Sequence, residues 1–159
     1  MTAVQTEFSL IYREEAETTR QTTRDLGISF MAYAPLGRSM LTGNYGDLAS
    51  LPDDSPHKRH PRFADENLKK NLALIRPVEE MAKAKGCTPA QVALAWVLAQ
   101  GDDVVAIPGT KSIERMQQNI DALDVSLSAD EVASLSAAIP VGAVSGTRYP
   151  AGAMKAVFQ

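Results

Sequence analysis

The densest grouping of chemically able residues runs from Ile107 to Arg115, reading Ile-Pro-Gly-Thr-Lys-Ser-Ile-Glu-Arg. An apolar run ends there, Gly109 permits close approach of the backbone, and a helix opens at Ser112. Free amides at a helix start favour an anion. Lys111 and Arg115 add positive charge beside it, and the fork of Arg115 suits a phosphate. The same residues would also serve as solvated charges around a capped helix, and local chemistry leaves both readings open. Tyr33-Ala34-Pro35-Leu36-Gly37 comes next. A tyrosine at the C-terminal end of a parallel strand faces the place where α/β sheets bind ligands. It could stack on a flat ring, although pattern alone favours a core aromatic. Gln5 is polar in an apolar run. It could hydrogen-bond a ligand amide or simply be the outward residue of an alternating strand. His57 and His60 stand three apart with Lys58 and Arg59, but no sharp Cys, Asp or Glu spacing completes a metal set. A solvated basic loop is the expectation there. Cys87 has no nearby base and is read as packing. The chain shows no Ser-His-Asp grouping and no Walker or Rossmann glycine loop.

The elements that must position these residues alternate in type. Runs with strand character cover Ala3–Ile11, Ile28–Ala34 and Val104–Pro108, and each is followed by helical pattern. Such alternation implies parallel strands joined by crossovers. Glu14 to Leu26 has helix length and stops at Gly27. Its apolar face is thin, Ala16 and Leu26 with Thr19 and Thr23 between, so it should be a weakly anchored outer helix. Asp65 to Lys85 contains Pro77, which predicts a kink or two helices. Thr88-Pro89-Ala90-Gln91 is a capping box with proline at the first helical position. Behind it, Val92 to Ala99 is apolar all round, including Trp96, as in a buried helix. Ser128 and Glu131 form a second capping box, leading to Ile139 and Pro140. Leu36 to Ala64 is a long irregular segment with several Gly and Pro and an Asp53-Asp54-Ser55 cluster. Such loops are uncommon unless functional or disordered. A polar, Gly-rich tail covers 140–159.

Composition bounds the function classes. The chain has 159 residues, 45% hydrophobic and 22% charged, with a formal net charge of -3. This suits one globular domain and argues against a basic nucleic-acid-binding stripe or a polybasic membrane surface. No apolar run reaches the ~18 residues of a membrane span, and Met1 to Arg13 lacks signal-peptide character. One cysteine excludes an internal disulfide framework and suits a reducing compartment. A cytoplasmic protein is expected.

Several stretches together resemble the aldo/keto reductases. They are Gln5-Thr6-Glu7-Phe8-Ser9-Leu10 with Arg13, and Ala32-Tyr33-Ala34-Pro35-Leu36-Gly37-Arg38 with Leu41-Thr42-Gly43. Pro61-Arg62-Phe63 with Glu66, Asn67 and Asn71, and Thr88-Pro89-Ala90-Gln91 with Ala93 to Trp96, add to them. Ile107 to Lys111 with Glu114, Arg115 and Asn119, and Gly146-Thr147-Arg148-Tyr149, complete the set. Order and spacing fit nearly end to end. The resemblance implies an α/β fold, the C-terminal part of a (β/α)8 TIM barrel. Such a barrel takes ~250 residues, so the three strands look like its sixth, seventh and eighth. The family's catalytic aspartate, tyrosine, lysine and histidine would lie on the earlier half, and no catalytic residue is assigned here. Tyr12, Tyr45 and Tyr149 are not candidates for the missing acid.

What the resemblance does imply is the cofactor half of a site for NADP(H). Gln5 would hold the nicotinamide carboxamide and Tyr33 would stack on the ring. Leu36, Gly37 and Arg38 would line the pyrophosphate. Gly109, Thr110, Lys111 and Arg115 would hold the adenosine 2′-phosphate, and Gln118 and Asn119 the adenine. The two cations favour NADP over NAD. The partner of the intact enzyme would be a small carbonyl substrate. Leu41–Phe63 and Val144–Gln159 are the local candidates for contacting substrate or closing over cofactor. Bare sheet edges predict association with a missing N-terminal half or with another copy. The alternatives are a self-associating NADP(H)-binding half-barrel without catalysis, or a regulatory partner of another protein.

Overall fold

A computed structural model describes residues 1–44, 51, 54–155 and 157. Tyr45 and Asp53 lie outside the described residues. Three parallel strands form one sheet in the order β1 (Ala3–Glu7), β2 (Ser29–Tyr33), β3 (Val104–Ile107). Gln5 pairs with Met31, Glu7 with Tyr33, and Tyr33 in turn with Ile107. β1 is shorter than the apolar run Ala3–Ile11 suggests. The Phe8 amide still donates to Tyr33 O (3.2 Å), but Ser9 and Tyr12 then pair with each other and turn the chain. Phe8, Leu10 and Ile11 are therefore buried loop residues rather than strand residues.

The helices follow their local signals. Helices α1 (Glu14–Asp25) and α2 (Pro56–Arg59) are followed by α3 (Asp65–Leu74) and α4 (Arg76–Lys85), which break at Ile75 beside Pro77. Proline lacks the amide that would continue the ladder. α5 (Pro89–Leu98) starts at the full Thr88–Gln91 capping box, and α7 (Ala129–Ala138) at that of Ser128 and Glu131. α6 (Ile113–Asp121) lies between them, and α8 (Ala151–Met154) is a single late turn. Among the described residues no helix is long and apolar enough to cross a membrane.

The two sheet faces differ. Phe30, Ala32 and Val104 are buried on one face, with Trp96 of α5 and Phe8 in the same core. The Phe8 ring stands 5.3 Å from Trp96 and 5.6 Å, edge-on, from Phe30. The other face carries Gln5, exposed, Met31, half-buried, and Val105, which keeps 48% of its surface. Among the described residues both outer strands present free edges. On α6 and the turn after it, Ile113, Met116, Ile120 and Leu123 are also exposed.

α1 is anchored differently from the expectation. Ala16 and Thr23 are buried, but Leu26 is 67% exposed. Polar contacts supply the hold instead. Arg20 and Arg24 both donate to Gln100 O (2.9 and 2.8 Å), and Arg24 pairs with Asp103 at 2.8 Å. The Arg24 hydrogen bond holds the Asp103 carboxyl below its usual value. Leu26, the C-cap residue just past the helix, stays on the surface.

Candidate functional site

The C-terminal ends of the strands collect the charged residues. Glu7 ends β1 on the same sheet face as Gln5 and is fully buried. A carboxylate cannot remain there without cationic partners. Three arginines supply them from three distant segments. Arg38, from the turn after β2, closes its fork on both Glu7 oxygens (Nη1 to Oε1 2.9 Å, Nη2 to Oε2 3.3 Å). Arg148, from the tail, puts Nε 2.5 Å from Oε2 without hydrogen-bond alignment. Arg62 stands further off, with Nη1 3.8 Å from Oε1. Tyrosines fill the gaps. Arg38 also donates to Tyr149 Oη (3.0 Å), and Arg148 to Tyr12 Oη (3.4 Å). Arg62 lies 5.0 Å over the Tyr12 ring, and Arg148 5.5 Å over the Tyr33 ring.

Burial separates the arginines electrostatically. It pushes the Arg62 guanidinium below its usual value, and Glu7 and Glu14 only partly offset this. Burial opposes the Arg148 charge as well, but Glu7, Tyr12 and Tyr149 outweigh it and hold that group above its usual value.

The backbone that delivers Arg38 is strained. Ala34, Arg38 and Ser39 have positive φ (50°, 55° and 71°), the only non-glycine residues among those described that do. Each left-handed residue costs about 1–2 kcal/mol, and such clusters mark functional sites. Gly37 (φ 57°) lies among them, and a Cβ there would overlap the Ile11 side chain. Gly37→Ala is expected to lower unfolding stability by about 2–4 kcal/mol, measurable by urea denaturation. A change under about 0.5 kcal/mol would mean that the turn relaxes freely.

Two local devices hold the segments that carry the other arginines. Asn71 of α3, buried, donates to Arg62 O (3.0 Å) and Ser145 O (2.9 Å) and accepts from the Ser145 amide (2.8 Å). Gly146 (φ 88°) rests against the Pro61–Arg62 backbone, where a Cβ would lie 2.7 Å from the Pro61 carbonyl carbon. His57 and His60 are part of this framework, which corrects the expectation of a solvated loop. His57 Nε2 bonds Arg38 O (3.0 Å), His60 Nδ1 bonds Arg148 O (3.1 Å), and both rings meet Phe63. Burial keeps the His60 imidazole below its usual value. Two short half-buried rings between two arginine-bearing segments are held by those segments' carbonyls, which pattern alone does not reveal. Among the described residues no metal-binding cluster of three ligands occurs. Cys87 packs against the core, and burial raises its thiol, as suits an unreactive sulfur.

The second expected group lies at the end of the neighbouring strand. Gly109, Thr110, Lys111 and Arg115 are all exposed between β3 and the first turn of α6. The Ser112 hydroxyl accepts from the Arg115 amide (3.3 Å), and Thr110 Oγ1 accepts from the Ser112 amide (3.1 Å). Among the described residues neither the Lys111 nor the Arg115 side chain has a hydrogen-bonding or ionic partner. Gln118 and Asn119 are half-buried further along α6, and Leu36 packs against the core.

The aldo/keto reductase family model matches residues 1–140. The chain belongs to the aldo/keto reductase family. It is 47% identical over 149 residues to probable aldo-keto reductase 1 of Glycine max, covering 94% of this chain and 43% of the relative. It is 40% identical over 161 residues to the aldo-keto reductase yakc, named for NADP(+), of Schizosaccharomyces pombe, covering 99% and 47%. The aldo/keto reductase chain thus spans less than half the length of these relatives. Among solved structures, the glycerol dehydrogenase of Gluconobacter oxydans superposes with a TM-score of 0.77 at 25% identity, covering 86% of this chain and 41% of that one. A Klebsiella pneumoniae aldo-keto reductase in complex with NADPH gives 0.63 at 28%, covering 94% and 43%. The fold is therefore part of a TIM barrel, with three parallel strands and their helices forming an open sheet. The residues around Glu7 were visible in the sequence only as members of the family pattern. A glutamate two places after Gln5, at a strand end and on the same face, was the one local signal for them.

Proposed function

We propose that this aldo/keto reductase chain is the cofactor-binding part of an NADP(H)-dependent oxidoreductase acting on small carbonyl compounds. The observation that carries the reading is the pair Lys111 and Arg115. They are two exposed cations without partners among the described residues, at the start of α6 and beside the strand end that bears Tyr33. A helix start with two such cations suits the 2′-phosphate that distinguishes NADP from NAD. The donor set fits the group. Gly109 is open on its Cβ side and admits close approach, while Gln5 offers an amide on the sheet face it shares with Tyr33, opposite Met31. Lys111 and Arg115 would hold the phosphate, with Gly109 and Thr110 beside them, and Gln118 and Asn119 would meet the adenine. Leu36 and Gly37 would line the pyrophosphate. The Arg38 guanidinium is engaged by Glu7, which leaves its backbone for that role. Bound NADPH supplies a hydride for carbonyl reduction. Gln5 and Tyr33 would orient the nicotinamide, and the proton donor would come from residues outside this chain. A cytoplasmic location fits the single cysteine and the reducing cofactor.

Titration of NADPH fluorescence tests this. Lys111→Ala/Arg115→Ala is expected to weaken NADPH about hundredfold and NADH little. Equal loss for both dinucleotides, or no saturable NADPH binding by the native chain, would overturn the reading. The exposed face with Val105 and the α6 stripe favour a companion reading, in which a complementary half-barrel or a second copy covers them. Sedimentation showing a stable monomer at high concentration would count against it.

A further inference from the structure

Among the described residues Arg62 is a buried cation held only by a long ion pair to Glu7 and the face of the Tyr12 ring. Its side chain is 8% exposed. A guanidinium carries five N–H donors, yet among the described residues Arg62 makes no side-chain hydrogen bond and its Nε is buried without a partner. Glu7 does not satisfy it, because the Arg38 fork and Arg148 already occupy both Glu7 oxygens and leave Arg62 at 3.8 Å. Buried charge of this kind is costly and is normally paired and hydrogen-bonded.

A cavity of about 220 Å³ opens beside it, lined by Arg62, Arg148, Tyr12, Thr147, Val144 and Met154, with Glu14 also on its wall. Three guanidinium groups surround Glu7, and Glu14 acts on Arg62 from the cavity wall, so cations outnumber carboxylates in this cluster. Val144 and Met154 add apolar surface to the lining.

We infer that this cavity binds a small monoanion, a carboxylate on a short carbon chain, with the carboxylate on Arg62 and the chain against Val144 and Met154. Arg148 also lies over the Tyr33 ring. On the reading under Proposed function, which this last step rests on, the site selects carbonyl substrates that carry a carboxylate.

The probes are propionate, its neutral isostere propionamide, and chloride at matched ionic strength, read by the thermal unfolding midpoint of the native chain. Propionate is expected to raise the midpoint saturably, by about 3 °C at tenfold excess over its Kd. Propionamide and chloride are expected to leave it unchanged. Arg62→Met should abolish the response. Should that variant fail to fold, Met154→Trp, which fills the cavity and leaves the arginines in place, should abolish it instead. An equal response to chloride or propionamide, no response to propionate, or a response that survives in a folded variant overturns the site. NADPH fluorescence on the same samples separates the two ideas. Normal NADPH binding without a propionate response sinks the anion site alone. A propionate response without NADPH binding keeps the site and sinks the cofactor reading.

Discussion

Glu7→Gln is expected to cost about 3–5 kcal/mol of stability, the range for breaking a buried ion pair from one side. The substitution keeps the shape and removes the charge. Arg38, Arg62 and Arg148 would then face one another around a neutral amide, with side chains only 19%, 8% and 10% exposed. Against a usual total of about 5–15 kcal/mol, the chain would be close to unfolding at room temperature. Urea denaturation followed by Trp96 fluorescence measures the loss, since Trp96 is buried against Phe8, next to Glu7 in the chain. Adding Arg148→Met to Glu7→Gln should return part of the loss, because the second change removes one of the stranded cations. The same two changes should each destabilise when made alone. A loss under about 1 kcal/mol for Glu7→Gln would mean that water reaches the cluster and screens it.

Asn71→Ala is the second large effect. The side chain makes three hydrogen bonds to backbone groups, at 1% exposure. Alanine cannot replace any of them, and leaving buried backbone groups unsatisfied costs about 1–3 kcal/mol each. A total of about 2–4 kcal/mol is expected, since water enters once the tail lifts. The loss should be local as well as global. Amide exchange at Ser145 should rise well before exchange in α5, and a protease should cut the tail first. Gly146→Ala should give the same pattern through a different cause, the clash with Pro61 and Arg62 backbone. Uniform exchange across the chain in both variants would show that the tail and the sheet unfold as one unit.

What the sequence disclosed and what it concealed divide along the chain separation of the partners. Thr88 finds Gln91, and Ser128 finds Glu131, three residues away. Pro77 breaks its helix at the adjoining turn. The three strands follow from runs of four or five residues. These are local matters, and local composition decides them. Leu26 misled because helix length was legible in the sequence while the surroundings of the C-cap were not. The arginine cluster was concealed for the same reason. Arg148 meets Tyr12 136 residues away, Tyr149 meets Arg38 at 111, and Asn71 meets Ser145 at 74. No window of sequence holds both members of such a pair. Glu7 read as one polar residue among Gln5, Thr6 and Glu7. His57 and His60 read as a charged loop because the carbonyls that hold them belong to Arg38 and Arg148. The expected cofactor residues Gly109, Thr110, Lys111 and Arg115 lie close together in the chain, which is why a sequence window could propose them as one group.

The distance between those partners also sets an order of events. β1 leaves the ribosome before the tail does, and Glu7 leaves with it, long before Arg148 is made. Closing a loop of that length is entropically slow to repay, and contacts of such separation form late. Until Gly146 seats against Pro61 and Arg62, the Glu7 carboxylate has only Arg38 and Arg62 to hold it. Nascent chains stalled before Ser145 should therefore carry a formed α5 core and an open strand end. Seating of the tail would be the step that closes the arginine cluster over Glu7, so the later-made segment acts as the checkpoint on the earlier one.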